Sequence, residues 1–192
     1  MEPDPFVSEA PRRRELRRKA TWRFLGVFLG TVAVYYSLTL SPWIDANVLY
    51  PVLKASAQGT SALLSLGGVK TTVEGVIIRG PTYSVAVRRG CDPLEPIVLF
   101  AAGVIGFPAP WRRRLSGVFA AGALLFGLNM VRIASLYVMG AKRSPMLDSF
   151  HLWYWPAFFI LCSLALWVCW IRWIQRPIPA SISTAKPPAE DT

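Results

Sequence analysis

A single histidine, at position 151, and three cysteines are all that 192 residues offer in those two side chains. No His-Glu-x-x-His or Cys-x-x-Cys spacing occurs, so neither a zinc-peptidase helix nor a paired redox thiol is expected. A Gly-x-Ser-x-Gly elbow is missing too, which removes the commonest serine-nucleophile arrangement. Charge is scarce: 17% of residues are charged, against roughly 25% in soluble domains. What charge exists is lopsided, with 21 lysines and arginines to 11 acids.

In place of charge there are long apolar runs. Trp22–Leu40, Leu94–Phe107, Leu115–Met139 and Leu152–Ile171 carry almost no ionisable side chains. Runs near twenty residues match a hydrocarbon core of about 30 Å, within which a helix satisfies its own main chain. A soluble two-domain enzyme is therefore excluded. The pattern predicts an all-α polytopic membrane protein with about four transmembrane helices. The first run is longer than a signal-peptide core and no small-x-small site follows it, so it reads as a retained anchor.

The net charge of +10 raises nucleic-acid binding, but the basic residues lie where membrane topology puts them. Seven precede or open the first apolar run, between Arg12 and Arg23. Three more, Arg112 to Arg114, form a short loop, and Arg172, Arg176 and Lys186 follow the last run. These are thirteen of the 21. With no aromatic-rich soluble module beside them, they predict no nucleic-acid partner. Both termini and the Arg112–Arg114 loop are expected on the cytoplasmic side.

Residues 1–20 (Pro, Glu and Arg) and 176–192 (Pro, Ser, Thr and Ala) read as a disordered basic arm and a disordered tail. Between them, 21–175 reads as a single membrane-embedded domain with an extracytoplasmic insert at about 41–91. Within that insert, Val48–Leu66 is moderately apolar but carries Lys54, Ser56, Gln58, Thr60 and Ser61. A full span there would invert every later loop, so parity predicts an interfacial or re-entrant helix on the outer side. Val69, Thr71 and Val73 alternate with polar residues, as do Tyr83, Val85 and Val87 after Gly80-Pro81. Two such runs about a Gly-Pro break predict a small extracytoplasmic β-hairpin.

This topology brings three unusual residues to one leaflet. Cys91 opens the second helix, and His151 opens the fourth. Arg132 lies seven residues before Met139, or about 10 Å along the third helix. A guanidinium inside a span costs at least about 2.5 kcal/mol on insertion scales, so it marks a function or a buried pair. A thiol beside a base or cation is a strong nucleophile, and a histidine can take its proton and return one to a leaving amine. An arginine can hold the oxyanion of a tetrahedral intermediate. Together they suffice for thiol acyl transfer on a peptide bond, with no cofactor and no metal. Asn129, one turn inward, is placed to orient the Arg132 guanidinium, and Asp148 to orient His151. Cys162 and Cys169, seven apart on the last helix, read as buried packing residues, and no structural disulfide is expected.

Gly90-Cys91 entering an apolar helix, then Asn129-Met130-Val131-Arg132-Ile133 within a span, then Phe150-His151, closely resembles the exosortase/archaeosortase family of membrane transpeptidases. The resemblance runs from about Arg89 to Trp155, and the short length and Gly-Cys-Asp context are most like the compact H-type exosortases. It implies that the catalytic set is Cys91, Arg132 and His151. It also implies a substrate among secreted proteins whose C-terminal sorting tail joins a short motif, an apolar helix and a basic end. The tail would be cleaved at the outer face of the bacterial inner membrane, through a thioacyl-enzyme that passes to an unidentified acceptor nucleophile. Two departures stand out: many exosortases are longer, and small residues usually follow the cysteine where Asp92-Pro93 stands here. Two other classes fit the residues alone: a non-catalytic membrane anchor subunit, and another thiol-dependent membrane acyltransferase. Dependence of tail removal on Cys91 separates them from the first reading.

Overall fold

A computed structural model describes residues 5–175, with side chains from residue 14 onward. Five helical stretches carry the chain: α1 (Pro5–Thr39), α2 (Pro42–Leu66), α3 (Leu94–Gly106), α4 (Trp111–Ala141) and α5 (Leu147–Ile174). Three short strands lie between α2 and α3. By length and composition, α4 and α5 could each cross a membrane, and α1 with α2 passes the same test only as a pair bent by 83°. Helix α3 is apolar but has 13 residues.

Helix α1 starts well before the apolar run that announced it. Residues 5–20, whose Pro- and Arg-rich composition suggested a disordered arm, continue the helix. Arginine, lysine, glutamate and leucine are good helix formers. Lys19 also pairs with Glu15 one turn earlier, at 2.9 Å. The tail 176–192 lies outside the described residues.

Pro42 opens α2 at a position where its missing N–H leaves no bond unmade. The sharp corner behind it turns α2 away from α1, and a π-helical turn, Asp45–Leu49, follows. Leu53, Ala57 and Leu64 bury one face of α2 against α4 and the strands.

The expected hairpin is a three-stranded antiparallel meander: β1 (Thr72–Glu74), β2 (Ile77–Arg79) and β3 (Ser84–Ala86). Strand β2 has no period-2 signature in the sequence, because Val76-Ile77-Ile78 does not alternate. Ile78 is fully buried beneath the sheet, so burial selected an unbroken apolar run. Gly80 begins the β2–β3 loop, where a Cβ would stand 1.7 Å from the Tyr137 hydroxyl; only glycine admits α4 so close.

Two cores stack along the bundle. Near the sheet, Leu49, Leu53 and Ala57 meet Ile78, Val87 and Tyr137. Toward the Arg112–Arg114 end, Phe100 and Val104 of α3 pack with Ala121 and Trp170. There the Trp170 indole N–H donates to the Arg113 carbonyl at 3.0 Å, and the Arg113 guanidinium donates to the Ile174 carbonyl at 2.7 Å. Arg113 thus satisfies one of the final carbonyls of α5, and the reciprocal bond from Trp170 ties that end of α5 to the first turn of α4. Cys162 and Cys169, expected to be buried, are half-buried and exposed respectively. The packed side of α5 is taken by Phe159 and Trp170 instead.

Candidate active site

Cys91 sits in the turn that leads from β3 into α3, and the turn is held from several directions. Gly90 has φ +85°, a left-handed conformation that costs a residue with a Cβ roughly 1–2 kcal/mol. No atom lies within 4 Å of where that Cβ would be, so the requirement is conformational alone. Asp92, buried, accepts the Gly90 N–H at 3.0 Å and the Leu94 N–H at 3.1 Å. The second of these bonds satisfies a donor at the start of α3. The unexpected Asp92-Pro93 pair therefore has a local job: the carboxylate locks the turn, and the proline precedes the helix.

Asn129 does not orient Arg132. Its amide donates to the carbonyl of Cys91 at 2.9 Å, tying the turn to the middle of α4, and its side-chain oxygen is buried without a partner among the described residues. A third tie is Arg89, whose guanidinium donates to the Thr39 carbonyl at 2.8 Å and pairs with Asp45 at 2.6 Å. Arg89 thereby braces the turn against the α1–α2 corner. An exposed arginine between Arg88 and Gly90 gave no hint of this in the sequence.

Arg132 is buried, at 7% exposure. It does not snorkel to water. Its guanidinium carbon lies 5.8 Å from the ring centroid of Phe159 on α5, within cation–π range. Its Nε–H has no hydrogen-bond partner among the described residues. Asp92 and Glu95 line the same cavity as its side chain. Glu95 in turn accepts the Tyr36 hydroxyl of α1 at 2.5 Å.

His151 lies in a π-helical turn, Phe150–Tyr154, an irregularity common at functional positions. One turn later the Trp155 indole N–H donates to the Ser135 hydroxyl at 3.1 Å, which donates to the Arg132 carbonyl at 2.7 Å. This relay fixes the start of α5 to α4 beside Arg132. The aromatic cluster Trp153-Tyr154-Trp155 suggested only a membrane belt, so the tie could not be anticipated.

Cys91, His151 and Asp148 line one cavity of about 370 Å³. Arg132 lines its neighbour, about 200 Å³, together with Gly90, Asp92 and Glu95. The structure thus brings the thiol and the imidazole to a shared space and puts the guanidinium across the Gly90–Asp92 turn. Asp148 is exposed, and no hydrogen bond joins it to His151 among the described residues. The Arg132 cavity continues into an apolar groove between α3 and α5 that reaches Phe24, Phe28 and Trp167. The two share Leu99, Ile160 and Ser163.

A family model described as transmembrane exosortase matches residues 18–168. The chain belongs to the transmembrane exosortase family. Comparison with curated proteins and with solved structures returns no match. The matched stretch of this exosortase takes in Cys91, Asn129, Arg132 and His151, and also Arg89 and Trp155. Membership supports a transpeptidase-type role in the membrane. Among the described residues no cluster of His, Cys, Asp and Glu could hold a metal ion.

Proposed function

We propose that this exosortase cleaves the C-terminal sorting tail of secreted proteins by cysteine acyl transfer, with Cys91, His151 and Arg132 as the catalytic residues. The observation that carries the reading is the cavity shared by Cys91 and His151, across the Gly90–Asp92 turn from a buried Arg132 whose Nε has no partner among the described residues. The imidazole takes the thiol proton, and the sulfur forms a bond to the scissile carbonyl carbon. The carbonyl electron pair moves to oxygen, which points toward the Arg132 side of the turn. As the intermediate collapses the C–N bond breaks, and His151 returns the proton to the departing amine. An acceptor amine or water then attacks the thioester and restores the thiol.

In this reading α1, α3, α4 and α5 cross the inner membrane of a bacterium. The termini and Arg112–Arg114 lie in the cytoplasm, and the sheet faces outward. Helix α3 is about 20 Å long against a core of about 30 Å. With its far end at the Arg112 loop, Cys91 sits below the outer surface, where little water competes for an oxyanion. The groove between α3 and α5 seats the apolar helix of the tail. In its wall the Ser163 hydroxyl and the Trp167 N–H are buried without partners among the described residues.

Co-expression with a secreted protein bearing such a tail tests the reading. Tail removal is expected with the wild type and with Cys162→Ala and Cys169→Ala, and is expected to stop with Cys91→Ala at equal membrane abundance. Full processing by Cys91→Ala would return the chain to the non-catalytic class.

A further inference from the structure

Strand β3 is one of the two edges of the sheet, since the strand order is β1-β2-β3, and it is the edge on the Cys91 side. Its register pairs Ile78 with Val85, the Gly80 N–H donates to the Tyr83 carbonyl at 2.9 Å, and the Val87 N–H donates to the Val76 carbonyl at 2.9 Å. Hydrogen-bonded pairs alternate with non-bonded ones along an antiparallel ladder. Tyr83, Val85 and Val87 therefore turn their main-chain groups toward β2, and Ser84 and Ala86 turn theirs away. Neither Ser84 nor Ala86 has another main-chain partner among the described residues. An open edge is a template for another strand, and most proteins cover or blunt it.

This edge also borders the thiol. Val85, Ala86 and Val87 line the same cavity as Cys91 and His151, and Cys91 follows Ala86 by only five residues. A chain paired along β3 would run directly past the sulfur.

Resting on the function proposed above, we infer that the substrate segment preceding the scissile bond is held in extended form as a fourth strand on β3. The main chains of Ser84 and Ala86 supply the ladder. Recognition of this kind reads the substrate backbone at every second residue and its side chains in alternation. The strand of three residues, followed by Arg88 and Arg89, is too short and too charged to invite pairing between copies of the enzyme.

The test uses the full-length wild-type enzyme in lipid nanodiscs and semisynthetic tails of a secreted protein encoded in the same genome. Each residue before the cleaved bond is N-methylated in turn, which removes one N–H without changing a side chain. Cleavage is expected to fall about tenfold at alternating positions and to change less than about twofold at those between. A flat profile, whether every position tolerates the methyl or none does, overturns the inference while the wild-type cleavage itself leaves the proposed function standing. Loss of all wild-type cleavage would instead strike at that function. Ala86→Pro removes an N–H only from the open side and is expected to raise KM for the tail at normal abundance. In Ser84→Cys, a disulfide between two enzyme copies that persists in excess tail would assign the edge to self-pairing and reject the inference.

Discussion

Arg132 holds a full positive charge in a buried position, with Phe159 against one face and an unpartnered Nε. A lysine there would keep the charge but lose the planar fork of donors. If the guanidinium grips the oxyanion, Arg132→Lys is expected to lose about 3–4 kcal/mol of transition-state stabilisation, or about 10²–10³ in rate. Membrane abundance should hold, because lysine keeps the same single charge and a similar apolar stem at the same depth of α4. Tail removal per unit of inserted enzyme measures this, and a fully active Arg132→Lys would reduce the catalytic set to Cys91 and His151. Asn129 acts differently, through the Cys91 carbonyl. Asn129→Leu leaves that acceptor with one partner fewer in a buried place, at about 1–3 kcal/mol. Slower cleavage together with a lowered melting midpoint is expected; unchanged values would mean that Asp92 and Arg89 hold the turn without Asn129.

The sheet and α4 meet closely at two glycines, Gly80 against Tyr137 and Gly140 against Tyr83. Gly80→Ala would drive a methyl into the Tyr137 hydroxyl and force the β2–β3 loop off the helix, costing about 1–3 kcal/mol. Tyr137→Phe removes the atom at 1.7 Å and leaves the ring carbon at 3.0 Å. The double variant is therefore expected to recover part of the lost thermal stability, a coupling that two independent sites would not show. Detergent-solubilised melting curves of the four proteins complete the cycle. The helices were far more legible than the sheet at this scale. Long apolar stretches announce helices through composition alone, and α3, α4 and the last helix appear close to their expected bounds. Strands of three residues leave too short a pattern, and β2 was hidden by an apolar run that burial, not alternation, explains.

Across the whole molecule, charge is sorted by end. The basic Arg112–Arg114 run, expected as a loop, forms the first turn of α4, and the Cys91 turn with the sheet lies toward the other end. With native cysteines replaced, Thr72→Cys is expected to react with an impermeant thiol reagent added outside intact cells, and Arg113→Cys only after permeabilisation. The opposite pattern would invert the topology and move the site to the cytoplasm. Hydropathy, the basic clusters and the spacing of Cys91, Arg132 and His151 all belong to the sequence, because burial in lipid and charge placement act on segments one at a time. From these alone came a helical membrane chain, its family resemblance and the three residues to watch. Which partners those residues take was decided only by packing between segments far apart in the chain. Asn129 reached the Cys91 carbonyl rather than Arg132, and Arg89 crossed to the α1–α2 corner. Arg132 came to rest across the turn from the cavity shared by Cys91 and His151. Hydrogen bonds and side-chain packing fix such matters to within an ångström, and no one-dimensional pattern carries that distance.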